Sequence, residues 1–237
     1  MSLFNVRGKK ISALEARVAI CTPTPDVVAA GFALDLAGLC GYTIKNFPKV
    51  ELTVVQSSGF LLPGQRHKLV QEAQACKATH LLWIDSDMRF PKDALVQLLR
   101  WQTPIVGASY VMRKPPFRQC AAQYPPMDPI IITPGSTGLL DVTYTGLGLV
   151  LTDMGVYGKM EKPYFQFGYS KTDDDYLGED VYFFLKAKAA GFACKVDVGL
   201  SQQVGHVGSF TFHNEHSLAS AEPEPQDAAP EGTACPA

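Results

Sequence analysis

The sequence predicts a single α/β domain with a mostly parallel central sheet, helices on its flanks and a small antiparallel edge portion. Up to Ala108, short apolar runs alternate with helix-length segments in a β-α-β-α-β-α-β order. That alternation is typical of parallel sheets covered on both faces. The chain has 237 residues, of which 46% are hydrophobic and 19% charged, so it can bury one substantial core.

Four strands and three helices are expected before residue 110. Thr24 and Pro25 are suited to cap and open the first helix, and Gly41 is expected to end it. Each strand is a short apolar run, as buried parallel strands require. In order, the elements are a strand over 17–21, a helix over 25–40, a strand over 51–55, a helix over 65–78, a strand over 80–84, a helix over 91–100 and a strand over 104–108.

The chain changes character after Tyr110. Residues 113–137 are rich in proline, which predicts loops and short edge pieces rather than a central strand. Further on, the pattern predicts a strand over 142–153, a helix over 179–191 and a short strand over 193–198. The second half is therefore expected to complete the same domain.

Composition sets the expected domain boundaries. Residues 1–15 are expected to be an N-terminal extension, and residues 16–216 the domain itself. Residues 217–237 form an acidic Ala/Pro-rich tail with no Lys, Arg or aromatic residue. Such a segment cannot bury enough apolar surface to fold, so the tail is expected to be disordered.

Charge, hydropathy and cysteine spacing exclude several classes of protein. The net charge of −2 provides no basic field for nucleic acid. No apolar run approaches the roughly 18–20 residues that span a bilayer, and the polar start shows no secretory signal. The six cysteines form no C-x-x-C pair, which argues against a zinc ribbon. We therefore expect a soluble, cytoplasmic protein with no nucleic-acid partner and no integral membrane segment.

The most informative segment is Asp85-Ser86-Asp87, which follows the apolar strand over 80–84. Ligands of α/β proteins bind at the carboxyl ends of parallel strands, and two carboxylates two residues apart can point the same way. Their oxygens suit a hard divalent cation, which would neutralise a diphosphate leaving group. A bare D-x-D is commonly a solvated turn, but buried strands rarely end in two acids without a counter-charge or a ligand.

Two later segments carry further candidate residues. Glu179 and Asp180 are expected in the first turn of a helix, where acids also simply complement the helix dipole. Adjacent helical residues point about 100° apart, so one acid can face a substrate while the other orients a neighbour. His206 lies between glycines at 205 and 208, which leave room for a ligand. A neutral imidazole favours Mn²⁺ over Mg²⁺.

Together these segments resemble the family-two-like glycosyltransferases with the GT-A fold, over about residues 16–212. The resemblance implies a metal-dependent transfer of a sugar from a nucleotide-diphosphate sugar to a hydroxyl acceptor, with a glycan as the expected acceptor. Inversion is expected, although retaining members of this fold also carry a D-x-D. The resemblance is carried by Ile84-Asp85-Ser86-Asp87-Met88 with Phe90-Pro91, Thr145-Gly146-Leu147-Gly148, Gly178-Glu179-Asp180 with Phe183 and Ala190-Gly191-Phe192, and Gly205-His206-Val207-Gly208.

The resemblance also implies roles for individual residues. Asp180 matches the catalytic base of inverting members, with Glu179 positioning the acceptor. Asp87 and His206 match the metal ligands, and Asp85 matches the aspartate that contacts the ribose or the water shell of the metal. Contacts with the nucleotide sugar are implied for Thr22, Pro23, Asp26, Gln56, Ser57, Arg66, Asp85, Ser86 and Gly146.

Two other functions are compatible with the same layout. A sugar-phosphate nucleotidyltransferase also uses carboxylates and a cation, but it needs a glycine-rich basic loop where this chain has Thr22-Pro-Thr-Pro25. The second alternative is a non-catalytic glycan-binding protein with the same fold. The basic run of Arg113, Lys114 and Arg118 either touches phosphate or is a solvated loop, and the solvated loop is the simpler interpretation.

Overall fold

The computed structural model describes residues 14–25, 27–113 and 117–208. The expectations for the N-terminal extension up to residue 13, for Asp26, for Lys114 and for the tail over 217–237 lie outside these residues. The described elements are β1 (Ala16–Pro23), α1 (Ala30–Asn46), β2 (Val50–Ser57), α2 (Leu62–Ala75), β3 (His80–Ile84), β4 (Met88–Arg89), α3 (Ala94–Leu99), β5 (Ile105–Gly107), β6 (Ala122–Gln123), β7 (Asp128–Pro129), β8 (Leu139–Val142), β9 (Leu149–Asp153), α4 (Met154–Lys159), β10 (Gly168–Ser170), β11 (Asp175–Leu177), α5 (Glu179–Ala189), β12 (Cys194–Asp197), α6 (Val198–Ser201) and β13 (Gly205–His206).

A seven-stranded mixed sheet forms the centre of the fold, in the order β2-β1-β3-β9-β5-β12-β8. β1 pairs in parallel with β2 and with β3, and β5 pairs in parallel with β12. β9 is antiparallel to both of its neighbours, β3 and β5, and β8 is antiparallel to β12. Five of the seven strands therefore run in one direction, and their carboxyl ends lie along one edge of the sheet.

Apolar side chains fill both faces of the sheet, because each central strand alternates between two cores. In β1, Val18 and Ile20 belong to one core, whereas Ala19 and Cys21 belong to the other. The first core also takes the buried faces of α1, α3 and α6. The second takes those of α2, α4 and α5, around the fully buried Trp83. The prediction of an α/β domain with helices on both faces is confirmed.

The antiparallel part of the sheet is more central than the sequence predicts. In place of one strand over 142–153, the structure has two, β8 and β9. Between these two strands the chain leaves the sheet and pairs with Ala122. The N–H of Ala122 donates to the carbonyl of Tyr144 at 3.1 Å. β9 then enters the sheet between β3 and β5. No local pattern encodes that insertion, because it depends on contacts between distant segments.

The first helix differs from its prediction at both ends. Thr24 does not cap it; the N-cap is Ala29, which makes no side-chain capping bond. Gly41 does not end it either, and the helix continues to Asn46, where Phe47 is buried in the core. A glycine inside a helix costs about 1 kcal/mol, which is less than burial of a phenylalanine side chain contributes.

The compact unit of the chain ends at Val207, and the unit after it is described only at Gly208. The predicted boundary at residue 216 therefore lies outside the described residues. Among the helices that the structure describes, none combines the length and apolarity that crossing a membrane requires.

Gly107 gives a direct test of the contact between β5 and β9. A Cβ at this position would lie 2.9 Å from the backbone oxygen of Leu149, which cannot turn aside. We expect Gly107→Ala to lower the free energy of unfolding by about 1–3 kcal/mol in urea denaturation. The control is Gly158→Ala in α4, where a Cβ meets nothing within 4 Å and a gain of about 0.5–1 kcal/mol is expected. Equal stability of Gly107→Ala and the wild type would contradict the close approach.

Candidate active site

The turn after β3 carries the two carboxylates that the sequence predicts at the centre of the site. The N–H of Asp85 donates to the carbonyl of Gly148 at 3.1 Å, and Met88 donates to the carbonyl of Asp85 at 3.1 Å. Asp85, Ser86 and Asp87 are each partly buried. Since β3 lies near the middle of the sheet, these residues lie at the edge where the parallel strands end.

A two-stranded ladder brings His206 to this turn. β13 pairs with β4 so that His206 lies opposite Met88, and Val207 donates from its N–H to the carbonyl of Asp87 at 2.8 Å. The Nε2 atom of His206 consequently lies 3.5 Å from Oδ2 of Asp87. The structure thus brings together the two residues that the resemblance assigns to a metal.

The hydrogen bonding of His206 suits a metal ligand. Its Nδ1 lies 3.2 Å from the carbonyl oxygen of Val111, which only accepts, so Nδ1 carries a proton and the neutral ring presents the Nε2 lone pair towards Asp87. When the ring is protonated, it donates to Asp87 instead. That hydrogen bond is the largest cause of the lowered pKa of Asp87, and the charge of Arg113 adds to it.

Arg113 pairs with the same carboxylate. Its Nη1 lies 2.9 Å from Oδ2 of Asp87 and donates to the carbonyl of Val207 at 2.9 Å. Its side chain is 49% exposed, in keeping with the solvated-loop interpretation, and it also pairs with an acid of the predicted site. Arg113 follows the predicted strand over 104–108, so its place at this sheet edge could be predicted, but no pattern in the sequence identifies Asp87 as its partner.

Asp87 and His206 fit a divalent cation as a set of two protein ligands. Oδ1 of Asp87 is buried and has no hydrogen-bond partner among the residues described, so this carboxylate has capacity left for a further partner such as a cation. Asp85, the predicted additional ligand, accepts a hydrogen bond from Arg66 through its Oδ1. Across residues 14–25, 27–113 and 117–208, no three His, Cys, Asp or Glu side chains are grouped to hold a metal. Further ligands would have to be water or substrate oxygens, as is common for cations bound to phosphates.

A buried arginine connects the two acidic segments. Arg66 of α2 is 2% exposed; its Nε donates to Oε1 of Glu179 and its Nη2 to Oδ1 of Asp85, each at 3.0 Å. The guanidinium carbon lies 5.5 Å from the ring centre of Trp83. The resemblance implies contacts of Arg66 with the nucleotide and of Glu179 with the acceptor. In the structure the two side chains bind each other, and Nη1 is the guanidinium nitrogen without a partner in the described part of the chain. The contacts with nucleotide and acceptor stay predictions.

Glu179 and Asp180 open α5 and face different neighbours, as their helical spacing predicts. Oδ1 of Asp180 accepts from the N–H of Val181 at 2.7 Å. A Cβ on Gly178 would lie 2.5 Å from that oxygen, so the glycine leaves room for the carboxylate. Burial, reinforced by the negative charge of Glu179, raises the pKa of Asp180 to about 6.

A cavity of about 700 Å³ joins candidates from distant parts of the chain. Asp180, His206 and Gly146 all line it, and so do Arg113 and Arg118. A volume of this size is typical of small-molecule sites. The acid with the raised pKa and the histidine that contacts Asp87 therefore face the same space.

Tyr110 explains the glycines on one wall of the cavity. A Cβ on Gly148 would lie 2.7 Å from the tyrosine ring, and one on Gly146 would overlap its hydroxyl. The N–H of Gly148 donates to that hydroxyl at 3.2 Å, and the ring packs edge-on against His206 with centroids 4.9 Å apart. Burial raises the pKa of Tyr110 well above its usual value. Gly146 thus lies in the cavity wall, and a larger residue there would overlap Tyr110.

Of the predicted nucleotide contacts that the structure describes, Gly146 lines the cavity, whereas the others do not, and neither does Asp87. Four of them lie further along the same sheet edge. Thr22 is opposite Gln56 and Pro23 is opposite Ser57, at the carboxyl ends of β1 and β2. Oγ1 of Thr22 is buried and has no partner among the described residues, while Gln56 is exposed. Because β1 lies between β2 and β3, these polar groups and Asp85 follow one another along the carboxyl ends of three neighbouring strands.

No protein-family model matches the chain, and no curated protein matches it. Among the solved structures that are similar to it is one titled "Crystal Structure of A197 from STIV". The alignment covers 84% of this chain and 100% of that chain, with 14% sequence identity and a TM-score of 0.47. A likeness at that level does not identify an activity.

Loss of the Arg66 side chain should destabilise the protein strongly. Arg66→Met leaves Asp85 and Glu179 without their partner, and breaking a buried ion pair costs about 3–5 kcal/mol. Urea denaturation at pH 7 measures the loss, and adding Glu179→Gln should recover part of it. The control is Arg89→Met, which breaks a pair with Asp35 whose arginine is 52% exposed and should cost far less. Equal losses in the two variants would refute the buried bridge.

Asp180→Asn should stabilise the protein in a pH-dependent way. The folded state raises the pKa of Asp180 from 3.8 to about 6, so the folded protein binds this proton more tightly and loses stability as pH rises through that interval. At pH 8 the substitution should add up to about 3 kcal/mol, because a pKa shift of one unit corresponds to about 1.4 kcal/mol. The gain should fall to about 0.5 kcal/mol near pH 4 and vanish below about pH 3, where the carboxyl is protonated in both states. A pH-independent gain, or no gain at pH 8, would contradict the raised pKa.

Proposed function

We propose that the protein is a metal-dependent glycosyltransferase of the GT-A class. It transfers a sugar from a nucleotide-diphosphate sugar to a hydroxyl group, with a glycan as the expected acceptor and inversion at the anomeric carbon. The observation that carries the proposal is the convergence of Asp87, His206 and Asp180. The first two are in contact, and His206 and Asp180 line one cavity. These are the residues to which the resemblance assigns the metal and the base.

Asp180 has the properties that a general base needs. It lies on the cavity wall, and its pKa of about 6 makes it a stronger base than an ordinary carboxylate while leaving it ionised at neutral pH. In the proposed reaction it takes the proton of the acceptor hydroxyl as that oxygen attacks the anomeric carbon. The bond between that carbon and the phosphate oxygen breaks, and the nucleoside diphosphate leaves with the electron pair.

Asp87 and His206 are the proposed ligands of a divalent cation, and the imidazole favours Mn²⁺ over Mg²⁺. When bound, the cation supplies positive charge that stabilises the departing diphosphate. Val111 supports this role because its carbonyl oxygen holds the Nδ1 proton of His206, which directs the other ring nitrogen towards Asp87. A cytoplasmic location is also proposed, on the composition and on the free state of the five described cysteines.

The donor can be identified by screening UDP-, GDP- and dTDP-sugars for Mn²⁺-dependent hydrolysis, since a transferase without acceptor slowly passes its sugar to water. We expect hydrolysis of one nucleotide class, and its loss in Asp87→Ala together with Mn²⁺-dependent nucleotide binding. No binding of any nucleotide sugar would favour a non-catalytic protein. Release of pyrophosphate from a nucleoside triphosphate and a sugar phosphate would favour a nucleotidyltransferase.

Asp180→Asn should separate binding from chemistry. The variant should keep nucleotide affinity but lose about 10²–10⁴-fold in transfer rate, which is the usual contribution of a positioned base. The wild-type rate should rise with pH through about 6, since the base must be ionised, and the variant should lack that rise. Asp175→Asn, an exposed acid on β11, is the matched control. Full transfer by Asp180→Asn would rule out the assigned base.

A further inference from the structure

We propose that Arg113 is an exchangeable counter-ion of Asp87. In the free protein the guanidinium of Arg113 pairs with the carboxylate oxygen that a divalent cation would bind. When the cation binds, it displaces the guanidinium. The displaced guanidinium then contacts the diphosphate of the donor. This inference rests on the proposed function and adds a residue, Arg113, that binds the anionic part of the substrate.

The exchange follows from the sharing of one oxygen atom. Oδ2 of Asp87 lies 2.9 Å from Nη1 of Arg113 and 3.5 Å from Nε2 of His206. A cation bound by both Asp87 and His206 must lie against this oxygen, close to the position of the guanidinium. Two positive charges at such short range repel each other strongly. Arg113 therefore has to leave Oδ2 when the cation binds.

The contacts of Arg113 permit this movement. Its side chain is 49% exposed and is held through Nη1 by one carboxylate and one backbone carbonyl. Exposed ion pairs of this kind change an equilibrium constant by only a few-fold. Arg66 is the contrasting case, because it is 2% exposed and is bound by two carboxylates. Of the two arginines, Arg113 is the one that can be displaced at low cost.

The cavity provides the place to which the guanidinium moves. Arg113 lines the same cavity as Asp180 and His206, and the diphosphate of the donor must lie there if the cation and the base are to act on one substrate. A guanidinium binds phosphate oxygens through two parallel hydrogen bonds, which an ammonium group cannot do. The exchange thus converts a counter-ion of the protein into a ligand for the substrate.

The first test measures Mn²⁺ affinity without any donor, by isothermal titration calorimetry. Arg113→Ala removes the competing charge, so it should bind Mn²⁺ about three- to five-fold more tightly than the wild type. Arg118→Ala is the matched control, since Arg118 lines the same cavity and has no ion pair among the described residues; its change should be under two-fold. Circular dichroism checks that each variant is folded.

The second test measures the affinity for inorganic pyrophosphate at saturating Mn²⁺. Arg113→Ala should weaken it about ten-fold, and Arg113→Lys should recover only part of the loss. If the wild type binds Mn²⁺ and Arg113→Ala binds it no more tightly, the exchange is refuted while the proposed function stands. If neither protein binds Mn²⁺, the metal dependence of the proposed function fails as well. If Arg113→Ala keeps full affinity for pyrophosphate, the contact with the substrate is refuted.

Discussion

The arrangement of the site depends on the buried guanidinium of Arg66. It binds Asp85 at the end of β3 and Glu179 at the start of α5, each at 3.0 Å. These two contacts also fix their neighbours, since Asp87 lies in the same turn as Asp85 and Asp180 follows Glu179 directly. A buried charge must be paired, so α5 cannot move away from the sheet edge without leaving an arginine and a carboxylate unpaired. The ion pairs that stabilise the fold here also set the distance between the two halves of the site.

The site carries more negative than positive charge. The turn after β3 and the start of α5 contribute two carboxylates each, and Arg66 and Arg113 are the guanidinium groups paired with them. Asp180 is the acid whose contact is a backbone N–H rather than a cation. Its pKa is raised to about 6 by burial and by Glu179. The excess of carboxylates in these two segments also favours cation binding at Asp87, so one electrostatic feature supports both a base and a metal site.

The antiparallel strand β9 determines which backbone faces the cavity. Because β9 runs against β3 and β5, its amino end lies at the edge where the parallel strands finish. The segment that leads into it, with Gly146 and Gly148, therefore meets the carboxyl ends of β3 and β5. Tyr110 packs against both glycines on one side and against His206 on the other. The glycine segment therefore holds the tyrosine ring that contacts the histidine. A purely parallel sheet would have placed a crossover helix at that point instead.

Features that adjacent residues encode could be predicted, whereas those made by distant contacts could not. The strand over 80–84 could be predicted because an apolar run stops at an acid. The start of α5 could be predicted because Gly178 precedes two acids. The contact of Arg113 with Asp87 could not be predicted, because it joins two loops that lie apart in the chain.

The burial of Arg66 has a signal in the sequence. Arg66 lies on the stripe it shares with Leu69, Val70 and Ala73, which follow it at three, four and seven residues. Residues at that spacing lie on one helix face, and the other three are fully buried in the core. A long cation on such a stripe either extends along the apolar surface to solvent or meets buried carboxylates. Because α2 packs on the sheet beside β1 and β2, solvent is out of reach, and the acids that end β3 and open α5 are the partners that remain.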